Sequence, residues 1–169
     1  MIIVTGGAGF IGSALVWALN KKGHEDIIIV DHFGVNDKFK NLISLKYLDV
    51  FDRDDFGQMV HDGFLKKNKV ETLYHLGACS STTQLDMNFL LRNNFEYTKF
   101  LCGHSLGNNI RFVYASSAAT YGDGAFGYND DEEELDTLRP LNPYGFSKHM
   151  FDQWAKREGY LDKIAGLKY

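Results

Sequence analysis

Short apolar runs alternate along the chain with longer segments in which apolar residues recur every three or four positions. A short continuous apolar run is typical of a buried strand, whereas the longer period is typical of an amphipathic helix. Five runs predict strands, and the third of them is the weakest: "MIIVT" (1–5), "DIIIVD" (26–31), "LISLKYLDV" (42–50), "VETLYHLGA" (70–78) and "IRFVYASS" (110–117). A sixth strand is predicted in "KIAGLKY" (163–169).

Helical spacing fills most of the intervals between these runs. Helices are predicted in "FIGSALVWALNKKG" with Gly23 as its stop, in "DRDDFGQMVHDGF" with Asp52 as its N-cap, over 83–107, and from Pro143 to about Glu158. The stretch 121–142 has no period and many acids and turn formers, and is interpreted as a loop. Alternating strands and helices predict a Rossmann-type, doubly wound parallel α/β sheet with helices on both faces.

Length and composition narrow the classes of function. The chain has 169 residues, the size of one domain, and 44% of them are hydrophobic. A net charge of −4 argues against a nucleic-acid partner, and no apolar run approaches the ~20 residues that span a bilayer. Cys79 and Cys102 form no CxxC pair, and no histidine cluster has metal spacing. We therefore expect a cytoplasmic protein without a metal, a membrane segment or a nucleic-acid partner.

A glycine-rich loop follows the first strand and opens the first helix. "VTGGAGFIG" satisfies both GxGxxG and GxxGxxG through Gly6, Gly7, Gly9 and Gly12. Glycines permit the tight turn and let backbone N–H groups approach a pyrophosphate at the helix N-terminus. Asp31 ends the second strand at the spacing expected for an acid on the adenosine ribose. The pattern predicts dinucleotide binding and leaves the choice between NAD and NADP open.

Two later segments contain candidate catalytic residues. The fifth strand ends in Ser116 and Ser117, where a parallel sheet presents its ligands. Tyr144 and Lys148 then lie four residues apart near the start of a helix, on one face. An ammonium and a cationic nicotinamide both favour a phenolate, so the tyrosine can exchange a proton with a substrate alcohol. The interpretation is an acid–base site for hydride transfer.

The glycine loop, the strand ending in serines and the YxxxK pair, in this order, resemble the extended short-chain dehydrogenase/reductase family. The longer runs "MIIVTGGAGFIGS", "GACSSTT", "YASSAATYG" and "PLNPYGFSK" are similar to one branch of that family. Its members are isomerases that interconvert the C6 epimers of ADP-heptose, a nucleotide sugar of lipopolysaccharide biosynthesis. The resemblance implies NADP as cofactor with NAD as the alternative, and a homo-oligomer in the full-length form.

The resemblance also implies roles for individual residues. Tyr144 is the expected acid/base, Lys148 its cofactor-bound partner, and Ser117 the hydroxyl on the substrate oxygen; Ser117 and Tyr144 would touch substrate. Lys38 and Arg53 fall where this branch carries basic residues for the 2′-phosphate of NADP. The cofactor-binding positions implied are Gly6, Gly9, Phe10, Ile11, Gly12, Asp31, His32, Lys38, Arg53, Leu76, Gly77, Ala78, Cys79, Ser80, Asn93 and Lys148.

Alternatives stay open at this point. We expect residues 1–169 to form one NAD(P)-binding Rossmann domain that stops within its sixth strand, with the substrate domain largely missing. The first alternative is therefore that the chain is a fragment that binds a dinucleotide but has no activity of its own. Another nucleotide-sugar 4-epimerase or dehydratase of the family is the second alternative, although "SSAATYG" lacks the acid that expels water in dehydration. The acidic run 130–136 is interpreted as a solvated loop rather than a metal site.

Overall fold

The computed structural model describes all 169 residues. Six strands form one sheet in the order β3-β2-β1-β4-β5-β6, and β1 runs parallel to both β2 and β4 while β2 runs parallel to β3. This is the strand order of a Rossmann sheet, so the predicted fold class is confirmed. The strands are β1 (Ile2–Thr5), β2 (Ile27–Asp31), β3 (Asp49–Asp52), β4 (Thr72–His75), β5 (Arg111–Ser116) and β6 (Ile164–Lys168).

The helices are α1 (Phe10–Lys21), α2 (Arg53–His61), α3 (Phe64–Lys67), α4 (Met87–Leu90), α5 (Tyr97–Gly107) and α6 (Pro143–Arg157). All helices except α3 lie within the predicted segments. A π-helical segment, Leu91–Glu96, joins α4 to α5 in one continuous helical run. Gly23 takes a left-handed φ of 88° just beyond α1, and Asp52 caps α2 by accepting the Asp54 N–H at 2.8 Å, as predicted. No helix has the length and apolar character needed to cross a membrane.

The chain divides into two compact units, Met1–Gly77 with Gly103–Val113, and Ala78–Cys102 with Tyr114–Tyr169. The first unit holds β1 to β4 and the start of β5. All five residues of β2 are buried, and two of them, Ile27 and Ile29, share a core cluster with Val16 and Leu19 of α1. In the second unit the buried face of α6 includes polar residues as well as Phe151 and Ala155. A smaller cluster of Tyr121, Leu135 and Leu138 anchors the acidic segment in this unit.

Two sequence predictions are wrong in detail. The third strand is Asp49–Asp52 rather than 42–50, because Lys38–Leu42 turns as a 3-10 helix that buries Leu42 in the core of the first unit. The stretch 121–142 is not wholly irregular either, since Glu132–Thr137 forms a 3-10 helix capped by Asp131. Parts of the acidic run are ion-paired: Asp130 with Lys168 at 3.3 Å, and Asp136 with Lys156 at 3.2 Å.

Candidate active site

The glycine loop is built by contacts that leave no room for side chains. Gly6 has a φ of 67°, and a β-carbon there would lie 2.6 Å from the backbone nitrogen of Gly77. A β-carbon at Gly12 would overlap the carbonyl oxygen of Gly6. The loop after β1, the first turn of α1 and the end of β4 are therefore in direct backbone contact. Close approach of this kind is what a pyrophosphate needs if backbone N–H groups are to reach it.

The first turn of α1 has no side-chain cap. Gly9 stands at the N-cap position and offers no side-chain acceptor, and Phe10 and Ile11 of the first turn are exposed. Four N–H groups at a helix start have no partner within the helix, and the helix dipole favours an anion beside them. This turn fits the phosphates of a dinucleotide.

Asp31 and Lys38 are brought together at the end of β2. The Asp31 carboxylate is 6% exposed, accepts the Ala8 N–H at 2.9 Å and the His32 N–H at 2.8 Å, and pairs with Lys38 Nζ at 2.9 Å. The acid thus ties the glycine loop to the end of β2. Its charge is offset by a cation, which changes the electrostatics of the predicted ribose site.

His32 and Arg53 follow the ends of neighbouring strands. The β2–β3 register pairs Asp31 with Asp52, so the residue after each lies at the same end of the sheet. His32 is exposed and its Nδ1 lies 3.5 Å from a carboxylate oxygen of Asp52. Arg53 opens α2, and its Nε lies 3.4 Å from Asp54. The structure therefore gathers Asp31, His32, Lys38 and Arg53 in the first unit, beside the ends of β2 and β3.

A hydrogen-bonded pair that the sequence did not indicate supports the end of β4. Thr5 Oγ1 accepts the Gly77 N–H at 3.2 Å and lies 2.7 Å from Nδ1 of the buried His75. An accepting hydroxyl still has one hydrogen to donate, which suits the imidazole nitrogen. This pair holds Leu76 and Gly77 against the glycine loop.

In the second unit, the segment after β4 is held by Asn94. The Asn94 amide accepts the Cys79 N–H at 2.9 Å and donates to the Cys79 carbonyl at 3.0 Å, which closes a two-way clasp. The same amide accepts from Asn93 at 2.9 Å and donates to Ser147 Oγ at 3.0 Å. Asn94 is 1% exposed and lies in the π-helical segment, which turns it inward. Asn93, the residue expected at the cofactor, is adjacent and donates to this amide.

The two serines at the end of β5 have different partners. Ser116 Oγ donates to the carboxylate of Asp152 at 2.6 Å, so this hydroxyl is engaged away from the strand end. Ser117 Oγ accepts the Ala119 N–H at 3.2 Å and retains a hydrogen to donate. Of the two, Ser117 is the one suited to a substrate oxygen.

Tyr144 and Lys148 lie on α6, whose start is firmly set. Asn142 caps the helix by accepting the Gly145 N–H at 2.7 Å, and Pro143 occupies the first turn. Lys148 is 5% exposed, and its Nζ donates to the Ala115 carbonyl at 2.7 Å rather than to the Tyr144 phenol. Burial lowers the pKa of Lys148 to about 8, and the nearby charge of Asp152 acts in the opposite direction. Tyr144 is half-buried.

Two residues in this unit were not singled out from the sequence, Asn94 and Asp152; Ser116 was expected at the strand end, but its hydrogen bond to Asp152 was not. Their partners lie 15 to 53 positions away in the sequence. The one local signal for these residues is the spacing of Asp152, which lies four positions and so one helical turn after Lys148.

The fold and the two groups of residues define a Rossmann protein with a dinucleotide loop and a Ser–Tyr–Lys set. The chain belongs to the NAD dependent epimerase/dehydratase family, whose pattern matches residues 2–164.

Within this family, the chain is similar to epimerases that share one name. The chain is 52% identical over 169 residues to the ADP-L-glycero-D-manno-heptose-6-epimerase of Nitratidesulfovibrio vulgaris, covering 100% of this chain and 52% of that protein. The crystal structure of the Helicobacter pylori ADP-L-glycero-D-manno-heptose-6-epimerase matches with a TM-score of 0.81 and 30% identity over 99% of this chain and 54% of that one. The predicted resemblance to this branch is thereby confirmed.

A third similar protein has been solved with a bound cofactor. MoeE5 in complex with UDP-glucuronic acid and NAD has a TM-score of 0.74 and 28% identity, over 99% of this chain and 53% of that one. The chain spans about half the length of the curated relatives it matches.

Proposed function

We propose that the chain is the cofactor-binding part of an enzyme that epimerises ADP-glycero-manno-heptose at C6 in lipopolysaccharide core biosynthesis. The observation that carries the proposal is the arrangement on α6 and β5. Tyr144 precedes the buried Lys148 by one helical turn, and Lys148 is bonded to Ala115, two residues before Ser117. The 52% identity to a curated ADP-heptose 6-epimerase supports the choice of substrate.

The residues of the chain fit a nicotinamide dinucleotide. The crowded glycines and the uncapped start of α1 suit the pyrophosphate, and Asp31 with His32 suits the adenosine ribose. The segment 76–80 and Asn93 are proposed to line the rest of the cofactor. A bound nicotinamide would supply transient oxidation and reduction of the sugar carbon, with hydride returned to the other face of the ketone.

The protein's own part in the reaction is to move and hold a proton. Tyr144 takes the hydroxyl proton as the alcohol becomes a ketone and gives it back on reduction. The Lys148 ammonium stabilises the charge on the phenol during that exchange. Ser117 donates a hydrogen bond to the same substrate oxygen and fixes its direction.

NADP is the proposed cofactor, with NAD as the alternative. Lys38 already offsets the charge of Asp31, so a 2′-phosphate beside that acid meets a cation as well as an anion. Arg53 opens α2 at the end of the neighbouring strand and offers a second cation. We further propose that the full-length protein is a cytoplasmic homo-oligomer.

The test is the Tyr144→Phe variant of the full-length protein, assayed with ADP-heptose and with UDP-glucose. Loss of the phenolic proton should reduce kcat for ADP-heptose by a factor of about 100 or more. Tyr160→Phe is the matched control, since its ring packs on Trp154 at the far end of α6 and should keep the parent's rate. Parent-like turnover by Tyr144→Phe contradicts the role of Tyr144. Turnover of UDP-glucose in place of ADP-heptose favours a 4-epimerase.

The inert-fragment alternative is tested on the polypeptide of residues 1–169. Dinucleotide binding without turnover of ADP-heptose supports it, whereas measurable epimerisation by this polypeptide dismisses it. Native mass spectrometry of the same sample identifies any retained NADP or NAD.

A further inference from the structure

A carboxylate is buried in the second unit, one turn after Lys148. Asp152 is 2% exposed, and its two oxygens accept hydrogen bonds from Tyr114 Oη at 2.7 Å and Ser116 Oγ at 2.6 Å. Both hydroxyls come from alternate positions of β5 and therefore point to one face of the strand. Distances this short are typical of hydroxyls that donate to an ionised carboxylate.

The lysine is joined to the same short piece of strand. Lys148 Nζ donates to the carbonyl of Ala115, which stands between Tyr114 and Ser116. Three consecutive residues of β5 are thus bound by two residues of α6 that lie one turn apart. We refer to Tyr114, Ala115, Ser116, Lys148 and Asp152 as the β5–α6 clamp.

The clamp sets the position of α6 along β5. A slide of the helix by one residue would break all three hydrogen bonds, because each is made at a fixed point of the strand. The two reacting groups lie directly beyond the clamp on their own elements: Ser117 follows Ser116, and Tyr144 precedes Lys148 by one turn. Their relative placement therefore depends on the clamp.

The negative charge of Asp152 also affects the ionisation of Lys148. An ammonium that is 5% exposed loses most of its hydration, which disfavours the charged form. Burial accordingly lowers the pKa of Lys148, and the negative charge of Asp152 raises it. The hydrogen bonds from Ser116 and Tyr114 stabilise the ionised form of Asp152 in turn, against the burial that raises its pKa.

Other charged and titratable groups face the clamp from every element around it. Lys168 on β6 acts on Asp152, but it also pairs with Asp130 at 3.3 Å. Burial and the charge of Asp152 both raise the pKa of Tyr114, which keeps its proton and its role as donor. Cys102 on α5 and Glu132 in the acidic segment act on Tyr114, and the charge of Asp152 also acts on Tyr121. Among the acids, Asp152 is the one whose charge acts on Lys148.

We propose that Asp152 is a positioning residue for the proposed epimerase reaction: it holds α6 on β5 so that Tyr144 and Ser117 share one substrate oxygen, and it keeps Lys148 charged. The inference rests on the proposed function for its substrate. Its electrostatic part concerns Lys148 alone.

The first measurement is the titration of Lys148 in the full-length protein. Lysine labelled with 13C at Cε reports the ionisation of each amino group by NMR, and the Lys148→Met variant assigns the signal. In Asp152→Asn, which keeps the shape and removes the charge, we expect Lys148 to titrate about one pH unit lower than in the parent. Ser116→Ala keeps the carboxyl group but removes one hydrogen bond that stabilises its ionised form, so we expect a smaller lowering than in Asp152→Asn. An unchanged titration in Asp152→Asn overturns the electrostatic role.

The second measurement is the pH profile of epimerisation in the same variants. If Lys148 must be charged, the alkaline loss of kcat moves to lower pH in Asp152→Asn, by the amount found by NMR, while KM changes little. A uniform drop of kcat with an unmoved profile overturns the proposed counter-charge role. If the parent fails to turn over ADP-heptose, the proposed function fails, yet the NMR titration still decides the role of Asp152 toward Lys148.

A triple variant guards against misfolding of Asp152→Asn. Tyr114→Phe, Ser116→Ala and Asp152→Leu together replace the polar network with apolar groups and leave no buried hydroxyl unsatisfied. Replacing all partners of a buried network at once is often nearly neutral for stability. We expect the lowered Lys148 titration in this variant too, and a parent-like titration there contradicts the proposal.

Discussion

Gly12 lies within a helix, but the backbone of Gly6 leaves no space there for a side chain. It lies in α1, where alanine would ordinarily stabilise the helix, yet a β-carbon would overlap the carbonyl oxygen of Gly6. The overlapping atom belongs to the backbone, so it cannot rotate away. The same carbonyl accepts the Gly9 N–H at 3.0 Å, which makes the loop stiff.

We therefore expect Gly12→Ala to lower dinucleotide affinity by at least about tenfold, because α1 must move away from the loop that is proposed to bind the pyrophosphate. The measurement is isothermal titration of the full-length protein with NADP and with NAD. Gly103→Ala is the matched control: it lies in α5 with nothing within 4 Å of its added carbon, and should gain about 0.5–1 kcal/mol of stability. Unchanged affinity in Gly12→Ala contradicts the close-approach argument.

The ion pair between Lys38 and Asp31 leads to a prediction about the proposed preference for NADP over NAD. Without the Lys38 ammonium, the Asp31 carboxylate stands uncompensated and repels the phosphate of NADP, whereas the hydroxyl of NAD still suits it. We expect Lys38→Met to reduce the ratio of NADP to NAD affinity by about tenfold. Lys40→Met, in the same 3-10 helix and paired with Asp37 at 2.7 Å, should leave the ratio unchanged. If Lys38→Met lowers the affinities for NADP and NAD equally, Lys38 does not contact the 2′-phosphate.

At the scale of the elements, side-chain amides and carboxylates fix the segments that carry the candidate site. The π-helical segment places Asn94 where it serves both backbone groups of Cys79 and the hydroxyl of Ser147 on α6. One residue thus connects the segment after β4, the α4–α5 run and α6. The β5–α6 clamp then sets α6 against the strand.

We expect Asn94→Ala to cost about 2–4 kcal/mol in the free energy of unfolding, because it removes the partner of the part-buried N–H and carbonyl of Cys79 and of the buried Ser147 hydroxyl. Dinucleotide affinity should fall as well, since the segment 78–80 loses its anchor. Asn88→Ala, at an exposed position of α4, should stay within about 0.5 kcal/mol of the parent. Urea unfolding of the three proteins measures the difference. A cost for Asn94→Ala as small as that control's would show that the clasp is dispensable.

For the molecule as a whole, the sequence reasoning reached the parts that have local signals. The glycine spacing after a buried strand predicted the loop, and the YxxxK spacing predicted the face of α6. The third strand was misplaced because Leu42, Leu45 and Tyr47 pack on the core of the first unit from a non-strand segment that precedes Asp49. Asn94 and Asp152 were missed because their roles arise from contacts with other elements, which no local period encodes.

The burial of Lys148 should also appear in the pH dependence of the stability of the whole molecule. Its pKa is about 8 when folded, against 10.5 as the ordinary value for lysine, a difference that corresponds to roughly 3 kcal/mol. Between pH 8 and 10.5 the unfolded chain holds a proton that the folded protein has released, so this group's contribution to stability rises with pH. Below pH 8 both states hold the proton, and the cost of burying the charge is present in full.

The Lys148→Met variant lacks that cost at every pH. Its free energy of unfolding relative to the parent should therefore decrease steadily as the pH rises from 8 toward 10.5, by up to about 3 kcal/mol. Urea unfolding at intervals from pH 7 to 10 gives this difference, and it cancels the titration of every other group. Lys22→Met, at an exposed position just beyond α1, is the control and should give a flat difference. A flat difference for Lys148→Met as well would mean that the amino group is not held in the buried site that the Ala115 hydrogen bond defines.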